Sequence, residues 1–295
     1  MSNNCIPNIS VVIPTYNRAE ELALTLPSYI NNMYVREIIV VNNGSTDTTS
    51  DVVSSYINDV ARVVEIKLPD KIGAPKARTI GLSYVDCEYI LLGEDDVYLA
   101  PDYTKVLYDQ LSENSCDIIS GKIINIRVSS TGDLGKLISD LDTREMEGFP
   151  QDFSPYQVSL SQLKTGRPIQ VPYSHIIILG KKSVFDNIDF DPWYSAGNGY
   201  REDTDFLLTA RKHGFKLFFS QDTVCFHLRG ILSQKGGQRI NRILIEYWAI
   251  YNTWYMTKKH WGLVSDDFKL INGPLYNTVI YSLSRWKYYF QRILQ

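Results

Sequence analysis

Cysteine is scarce: four in 295 residues, Cys5, Cys87, Cys116 and Cys225, far apart, with no CxxC spacing and no flanking histidine ladder. That excludes a disulfide framework or a zinc ribbon and predicts reduced, mostly packed thiols in a cytosolic protein. No stretch reaches 18 consecutive apolar residues, and the opening MSNNCIPNIS lacks the basic and apolar segments of a secretion signal. Neither a membrane span nor export is therefore expected. Internal repeats and low-complexity segments are also absent. Ile13–Arg18, which follows the first apolar run, contains no glycine. This counts against a dinucleotide-dependent oxidoreductase, which needs GxGxxG there, and against a nucleotidyltransferase with a glycine-rich loop.

What is present is an ordinary globule, 44% hydrophobic and 21% charged, long enough to bury a substantial core. The net charge of −3 conceals an asymmetry. Residues 229–295 carry ten Lys/Arg against three acids, an excess of seven that leaves −10 on the rest. Trp248, Trp254, Trp261 and Trp286 lie in the same basic segment. Two readings follow: a helical appendage packing its aromatics on the body, or a surface that meets anionic lipid head groups. The acidic body carries no basic array of the RNA-binding kind, so no nucleic-acid partner is expected.

From residue 9, short β-branched runs (Ile9–Ile13, Glu37–Val41, Ala61–Ile66, Glu88–Leu92) alternate with helical patterns. The alternation predicts parallel strands joined by crossover helices. Asn17-Arg18-Ala19-Glu20 reads as a capped helix start, with Leu22, Leu26, Tyr29 and Ile30 on one face and Pro27 bending the helix. Ser45 or Thr46 can cap a helix through Tyr56, and Gly73-Ala74-Pro75 places a proline in a first helical turn. Residues 101–112 read as a helix and Asp117–Arg127 as a strand, followed by an uneven stretch to about residue 172 that resembles loops over a site. A strand at Ser174–Leu179 and a helix at Thr204–His213 complete the body. Ile240, Ile243, Leu244, Tyr247, Trp248, Tyr251, Trp254 and Tyr255 then fall on one stripe of a long helix, with a second from about Leu275 to Leu294.

Four clusters can carry chemistry. Glu94-Asp95-Asp96 follows the apolar strand Tyr89–Leu92, where carboxylates can hold a hard divalent ion that also touches phosphates. The same residues can be a solvated acidic turn or a helix N-terminus. Gly197–Asp205 is a glycine-rich loop ending in acids, able to deliver a general base or simply to N-cap a helix through Asp203. His227 ends an apolar run and is either a packed residue or a nitrogen ligand beside a carboxylate site. The turns Pro14–Arg18 and Asn42–Asp47 can read a base or ribose, or can be turns with helix caps.

In order and spacing these clusters resemble the family 2 glycosyltransferases of the GT-A fold, over about residues 8–230. The matching segments are Ile9–Arg18, Asn42–Asp47, Gly73–Gly81, Glu94–Asp96, Glu202–Asp205 and His227. The resemblance implies an α/β nucleotide-diphospho-sugar transferase fold with a mostly parallel central sheet flanked by helices. Residues 1–230 would form the transferase domain, and 231–295 a basic, aromatic-rich helical C-terminal extension packed on it. It implies inverting transfer from a UDP-, GDP- or dTDP-linked sugar to a hydroxyl of a glycan or lipid-linked acceptor, with Mn²⁺ or Mg²⁺ as cofactor. The setting would be polysaccharide or glycoconjugate synthesis, in the cytoplasm or peripherally at the inner face of the cell membrane.

On the same resemblance Pro14, Thr15, Tyr16, Arg18 and Asn43 would surround the nucleotide, with Lys76 or Arg78 near it and Glu94 and Asp95 beside it. Asp96 would be the main metal ligand, with His227 and Glu94 as further candidates. Asp203 would be the base, and Glu202 or Asp205 would orient the acceptor. The chemistry needs such groups: a divalent ion stabilises the leaving diphosphate, and a base takes the acceptor proton as it attacks from the opposite face. Three positions depart from the family pattern: Asn42 for an Asp, Glu94 for the first Asp of the metal motif, and Tyr251-Asn252 for Arg-Asn. The first two leave a second reading open, a catalytically degenerate nucleotide- or sugar-binding protein of the same fold.

Overall fold

The computed structural model describes residues 7–56, 61–127, 134, 138, 154–158, 164–229 and 241–293. Cys5, most of the stretch read as loops up to residue 172, and Ile240 lie outside these residues.

The β-branched runs form β1 (Ile9–Thr15), β2 (Val35–Asn42), β3 (Arg62–Lys67) and β4 (Tyr89–Leu92). All seven residues of β1 are buried, as a strand covered on both faces requires. The four strands pair in parallel in the order β3-β2-β1-β4. Helices α1 (Ala19–Ile30), α2 (Thr49–Ser54) and α3 (Ala74–Leu82) make the crossovers, and Leu22, Leu26, Tyr29 and Ile30 of α1 are buried as the periodicity predicts. Helix α3 lies so close to the sheet that a Cβ on Gly81 would come within 2.5 Å of Val12 Cγ1. Only glycine fits that contact.

Beyond β4 the sheet becomes mixed. Strands β5 (Val97–Leu99), β6 (Ile118–Arg127), β7 (Ile169–Gln170), β8 (Ile178–Lys181) and β9 (Leu217–Arg229) extend it to β3-β2-β1-β4-β8-β6-β9-β5, with β7 also on β9. Strand β8 runs antiparallel to both β4 and β6, whereas β6 and β9 are parallel. The strand expected at Ser174–Leu179 is thus displaced, because the register pairs Leu91 with Leu179 and Tyr89 with Lys181. Helices α4 (Tyr103–Glu113), α5 (Lys182–Asn187) and α6 (Glu202–Lys212) and a 3₁₀ turn (Pro192–Ser195) cover this half. The chain continues as α7 (Arg242–Lys259), α8 (Trp261–Phe268) and α9 (Gly273–Ile293).

Two expected caps are rearranged for one reason. Asn17 does not cap α1; at φ +50° it turns its Oδ1 to accept the amides of Thr46 (2.7 Å) and Asp47 (3.3 Å). Ser45 Oγ in turn accepts the Asn17 amide at 2.9 Å, and Asp47 Oδ2 accepts the Ala19 amide at 3.0 Å. The first turn therefore caps nothing itself, and the second turn caps α1 from across the cleft. With 45–47 committed to this cross-link, α2 starts at Thr49 rather than at Ser45 or Thr46.

Candidate active site

Strands β1, β2 and β4 end at one edge of the sheet, where open α/β sheets collect ligands. The turns that follow them line a cavity of about 360 Å³, closed on its far side by the 3₁₀ turn and the start of α6. Pro14, Thr15, Tyr16, Arg18, Asn43, Arg78, Glu94, Asp95, Asp96, Glu202 and His227 all reach it. Lys76 is exposed and does not line it, so of the pair Lys76 and Arg78 only Arg78 does. Asp203 is one residue removed from the lining.

One wall is suited to a base and ribose. Lys71 Nζ stands 4.3 Å above the Tyr16 ring, and Asn43 Oδ1 accepts the Ile72 amide at 2.8 Å, holding the 70–73 loop against the turn. Lys71, Tyr194 and Ser195 also line the cavity, and sequence reasoning missed them. Their one signal was Gly73-Ala74-Pro75, read only as a helix start. Asn42, by contrast, is wholly buried and does not reach the cavity. Its amide donates to Glu65 Oε1 (2.7 Å) and its Oδ1 accepts the Ser45 amide (2.9 Å). An aspartate there would face the Glu65 carboxylate, which accounts for the departure from the family pattern.

The floor is acidic. Tyr29 Oη donates to the Glu94 carbonyl (3.0 Å) and accepts the Glu94 amide (3.1 Å), fixing the turn. Arg78, 1% exposed, donates from one end to Glu94 Oε1 at 3.0 Å and from the other to Glu202 Oε1, tying the acidic turn to α6. Arg18 Nη1 lies 2.9 Å from Asp95 Oδ1 and also binds Asp96 Oδ2. Burial, reinforced by Asp96, pushes Glu94 up to about 7 against the pull of Arg78. Burial likewise raises Asp95 to about 6 against Arg18. For Asp96 burial acts upward too, but the hydrogen bond and charge of His227, with Arg18, outweigh it and hold the group at about 2.

His227 arrives through strand pairing: Val97 lies opposite it, and the Leu228 amide donates to the Asp96 carbonyl at 2.8 Å. Its Nε2 is 3.4 Å from Asp96 Oδ2, and its Nδ1 is 2.9 Å from Asn125 Oδ1. An amide oxygen only accepts, so Nδ1 carries a proton, and the bond fixes the ring as an outer partner fixes a ligating histidine. Nε2 then faces a carboxylate that also only accepts, a gap suited to a proton or a cation. Burial opposes His227 protonation, but Asp96 overcomes it and raises the pKa. Among the described residues no group of three or more His, Cys, Asp or Glu side chains is gathered for a metal. Asp96 Oδ2 and His227 Nε2 are an oxygen and a nitrogen set side by side at the cavity, two donors there that could serve as metal ligands. Glu94 Oε1 is directed at Arg78 rather than at this pair.

At the start of α6 the structure separates roles the sequence left merged. Arg201 adopts φ +75° and lies within 5.3 to 5.9 Å of four tyrosine rings, Tyr156, Tyr173, Tyr200 and Tyr281, rather than lining the cavity. Asp203 lies inside the first turn and is not the cap. Its Oδ1 accepts the Thr204 amide at 2.7 Å, the other oxygen accepts nothing from the described residues, and burial raises its pKa. Asp205, 1% exposed, accepts from Tyr194 Oη (3.2 Å), Lys259 Nζ (2.7 Å) and His260 Nε2 (2.9 Å). It is absent from the cavity wall, so Glu202 alone of the two expected acceptor-orienting acids faces it. At the head of the glycine loop, Gly197 (φ +72°) packs directly on α7: a Cβ there would meet Trp248 Cδ2 at 2.3 Å.

This fold, with a nucleotide-sized cleft at the strand ends, is that of GT-A glycosyltransferases. The structure of S. aureus TarS residues 1–349 in complex with UDP-GlcNAc superposes with a TM-score of 0.57 at 16% identity, over 88% of this chain and 67% of that one. GalNAc-T7 with UDP, GalNAc and Mn²⁺ gives 0.63 at 17%, over 87% and 50%. The Glycosyl transferase family 2 model matches residues 10–165, and the chain belongs to that family. It is 30% identical over 118 residues to the glycosyltransferase GlyG of Streptococcus pneumoniae, covering 40% of this chain and 39% of that protein. It is 33% identical over 122 residues to a poly(ribitol-phosphate) beta-glucosyltransferase of Bacillus spizizenii, covering 40% and 19%. The chain thus spans well under half the length of both relatives.

Proposed function

We propose that the protein is a metal-dependent, inverting glycosyltransferase that moves a sugar from a nucleotide diphosphate sugar to an acceptor hydroxyl, in polysaccharide or glycoconjugate synthesis. One observation supports this reading: Tyr16 and Asn43, Asp96 with His227, and Glu202 line a single cavity, which brings together the groups that donor binding, leaving-group stabilisation and acceptor positioning call for. A UDP-linked donor is the first choice over GDP or dTDP, because the TarS and GalNAc-T7 structures hold UDP or its sugar. The acceptor is a glycan or lipid-linked glycan, met from the cytoplasmic side at the cell membrane. Residues 231–295 act as a helical extension of the transferase body.

In this mechanism Tyr16, Asn43 and Lys71 orient the nucleotide. Asp96 and His227 would hold Mn²⁺ or Mg²⁺, and Arg18, which bridges Asp95 and Asp96 at the cavity, would bind the donor phosphates. The ion supplies charge stabilisation of the diphosphate leaving group. Arg78 holds Glu94 and Glu202 in register, Glu202 positions the acceptor, and the uncommitted oxygen of Asp203 removes the hydroxyl proton during attack. For that oxygen to reach the acceptor, the glycine loop must shift as donor binds. Thermal unfolding with UDP, GDP, CDP and dTDP, each with and without Mn²⁺, tests the reading, since a ligand of the native state raises its stability. A metal-dependent shift with one nucleotide is expected. No shift with any of them, in folded protein, overturns it.

A further inference from the structure

The exposed large apolar side chains of the described residues are concentrated. Ten of thirteen lie at or beyond Ile243, on α7, α9 and the turn before α9. On α9, Leu275, Val279, Leu283 and Phe290 are 69%, 49%, 62% and 56% exposed and recur at helical spacing, which makes one outward stripe. On α7, Ile243 and Tyr247 begin a matching stripe that continues through Tyr251 and Trp254. The two stripes face one another across a groove of about 470 Å³, walled by Tyr247, Tyr251, Trp254, Leu275, Val279 and Leu283. A patch this continuous marks an interaction site rather than scattered surface leucines.

Charge identifies the occupant. Lys258 and Lys287 are exposed at the margins, Lys258 Nζ lying 5.2 Å over the Trp254 ring. Two of the three acids in this segment are already matched, Glu246 with Arg285 and Asp267 with Arg211. The rim of the groove is thus net positive, and a second copy would bring the same positive rim to the interface with little acid to answer it. An anionic bilayer meets both features: it takes up the apolar stripe and attracts the lysine rim. No helix among the described residues is long and apolar enough to cross the bilayer, so contact is along the surface. The groove also adjoins the cleft, because Trp248, next to Tyr247, packs on the cavity-lining Gly197.

We propose that the α7–α9 face docks on an anionic lipid bilayer and so presents the cleft to acceptors held at that surface. The proposal deepens the transfer reading and rests on it for the acceptor, but adsorption is measured without turnover. The test is co-sedimentation of the full chain with phosphatidylcholine vesicles, with and without phosphatidylglycerol, at low and raised salt. Binding to the anionic vesicles, weakened by salt and much lower without phosphatidylglycerol, is expected. Leu275→Glu combined with Leu283→Glu should lower the bound fraction at least about tenfold. Lys258→Glu with Lys287→Glu should remove the preference for anionic lipid. All variants should keep the wild-type melting temperature and UDP shift, because these side chains are exposed and outside the cavity. Failure of folded wild-type protein to bind anionic vesicles overturns the proposal, as does a Leu275/Leu283 variant that binds like wild type. A concentration-dependent dimer lost in that variant would also overturn it, assigning the face to a second copy. Loss of the UDP shift alone would count against the transfer reading and leave the docking face standing.

Discussion

Asp203 holds one carboxylate oxygen on its own helix and leaves the other without a partner among the described residues, while burial tightens its grip on the proton. Asp203→Asn should therefore cut transfer by about 10²- to 10⁴-fold, with the UDP thermal shift retained. A base must be ionised to act. With its pKa raised, the acid limb of the kcat/KM profile should lie above the ordinary aspartate value of about 3.9. Asp96→Ala should remove the Mn²⁺-dependent part of the UDP stabilisation, leaving whatever shift UDP gives alone. Asn42→Asp should lower stability by about 1–3 kcal/mol in a denaturant titration, because it trades a donated hydrogen bond for a second carboxylate beside Glu65. Its UDP shift should be unchanged, since Asn42 lies behind the cavity wall. At this scale the sequence was legible where chemistry restricts residue type, as at Asp96, His227 and Glu202. It was silent on Lys71 and Tyr194, whose places depend on how a loop and a 3₁₀ turn fold over the cleft.

Among the elements, β1, β2 and β4 could be read to within about two residues, because parallel strands buried on both faces leave continuous apolar runs, and the edge strand β3 through its β-branched Val63-Val64 and Ile66. The antiparallel insertion of β8 and the long β9 could not. Ser220-Gln221-Asp222-Thr223 interrupts the apolar pattern of β9 where its pairing with β6 shifts register, and a non-local pairing leaves no local mark. The glycine loop before α6 shows how one element constrains another. Gly197→Ala forces a methyl into Trp248 at a left-handed backbone position, so a loss of about 1–3 kcal/mol is expected, read as a lower melting temperature. Because that loop precedes Asp203, the base we propose, transfer should fall by more than the folded fraction does.

For the molecule as a whole, the basic segment was visible in the charge count, but its involvement with the cleft was not. Among the contacts of helix α7 with the body, two mark its ends: Trp248 against Gly197 at the cavity rim, and Lys259, with His260 just beyond, on the buried carboxylate of Asp205, with Thr253, Tyr255 and Thr257 bonded to Arg201, Asp191 and Tyr156 between them. A chain ending at residue 230 would lose those two donors and uncover the side of the body that α7 packs on, and such a fragment should melt at a lower temperature than the full chain. The two contacts are also about three helical turns apart, so both fall on one side of α7. The helix is thereby a ruler. One alanine inserted between Trp248 and Lys259 would turn everything after it by about 100° and take the lysine off its carboxylate. The number of residues between those two marks is therefore fixed, and so is the register just before them, where Glu246 pairs with Arg285 and Tyr247 walls the groove against α9.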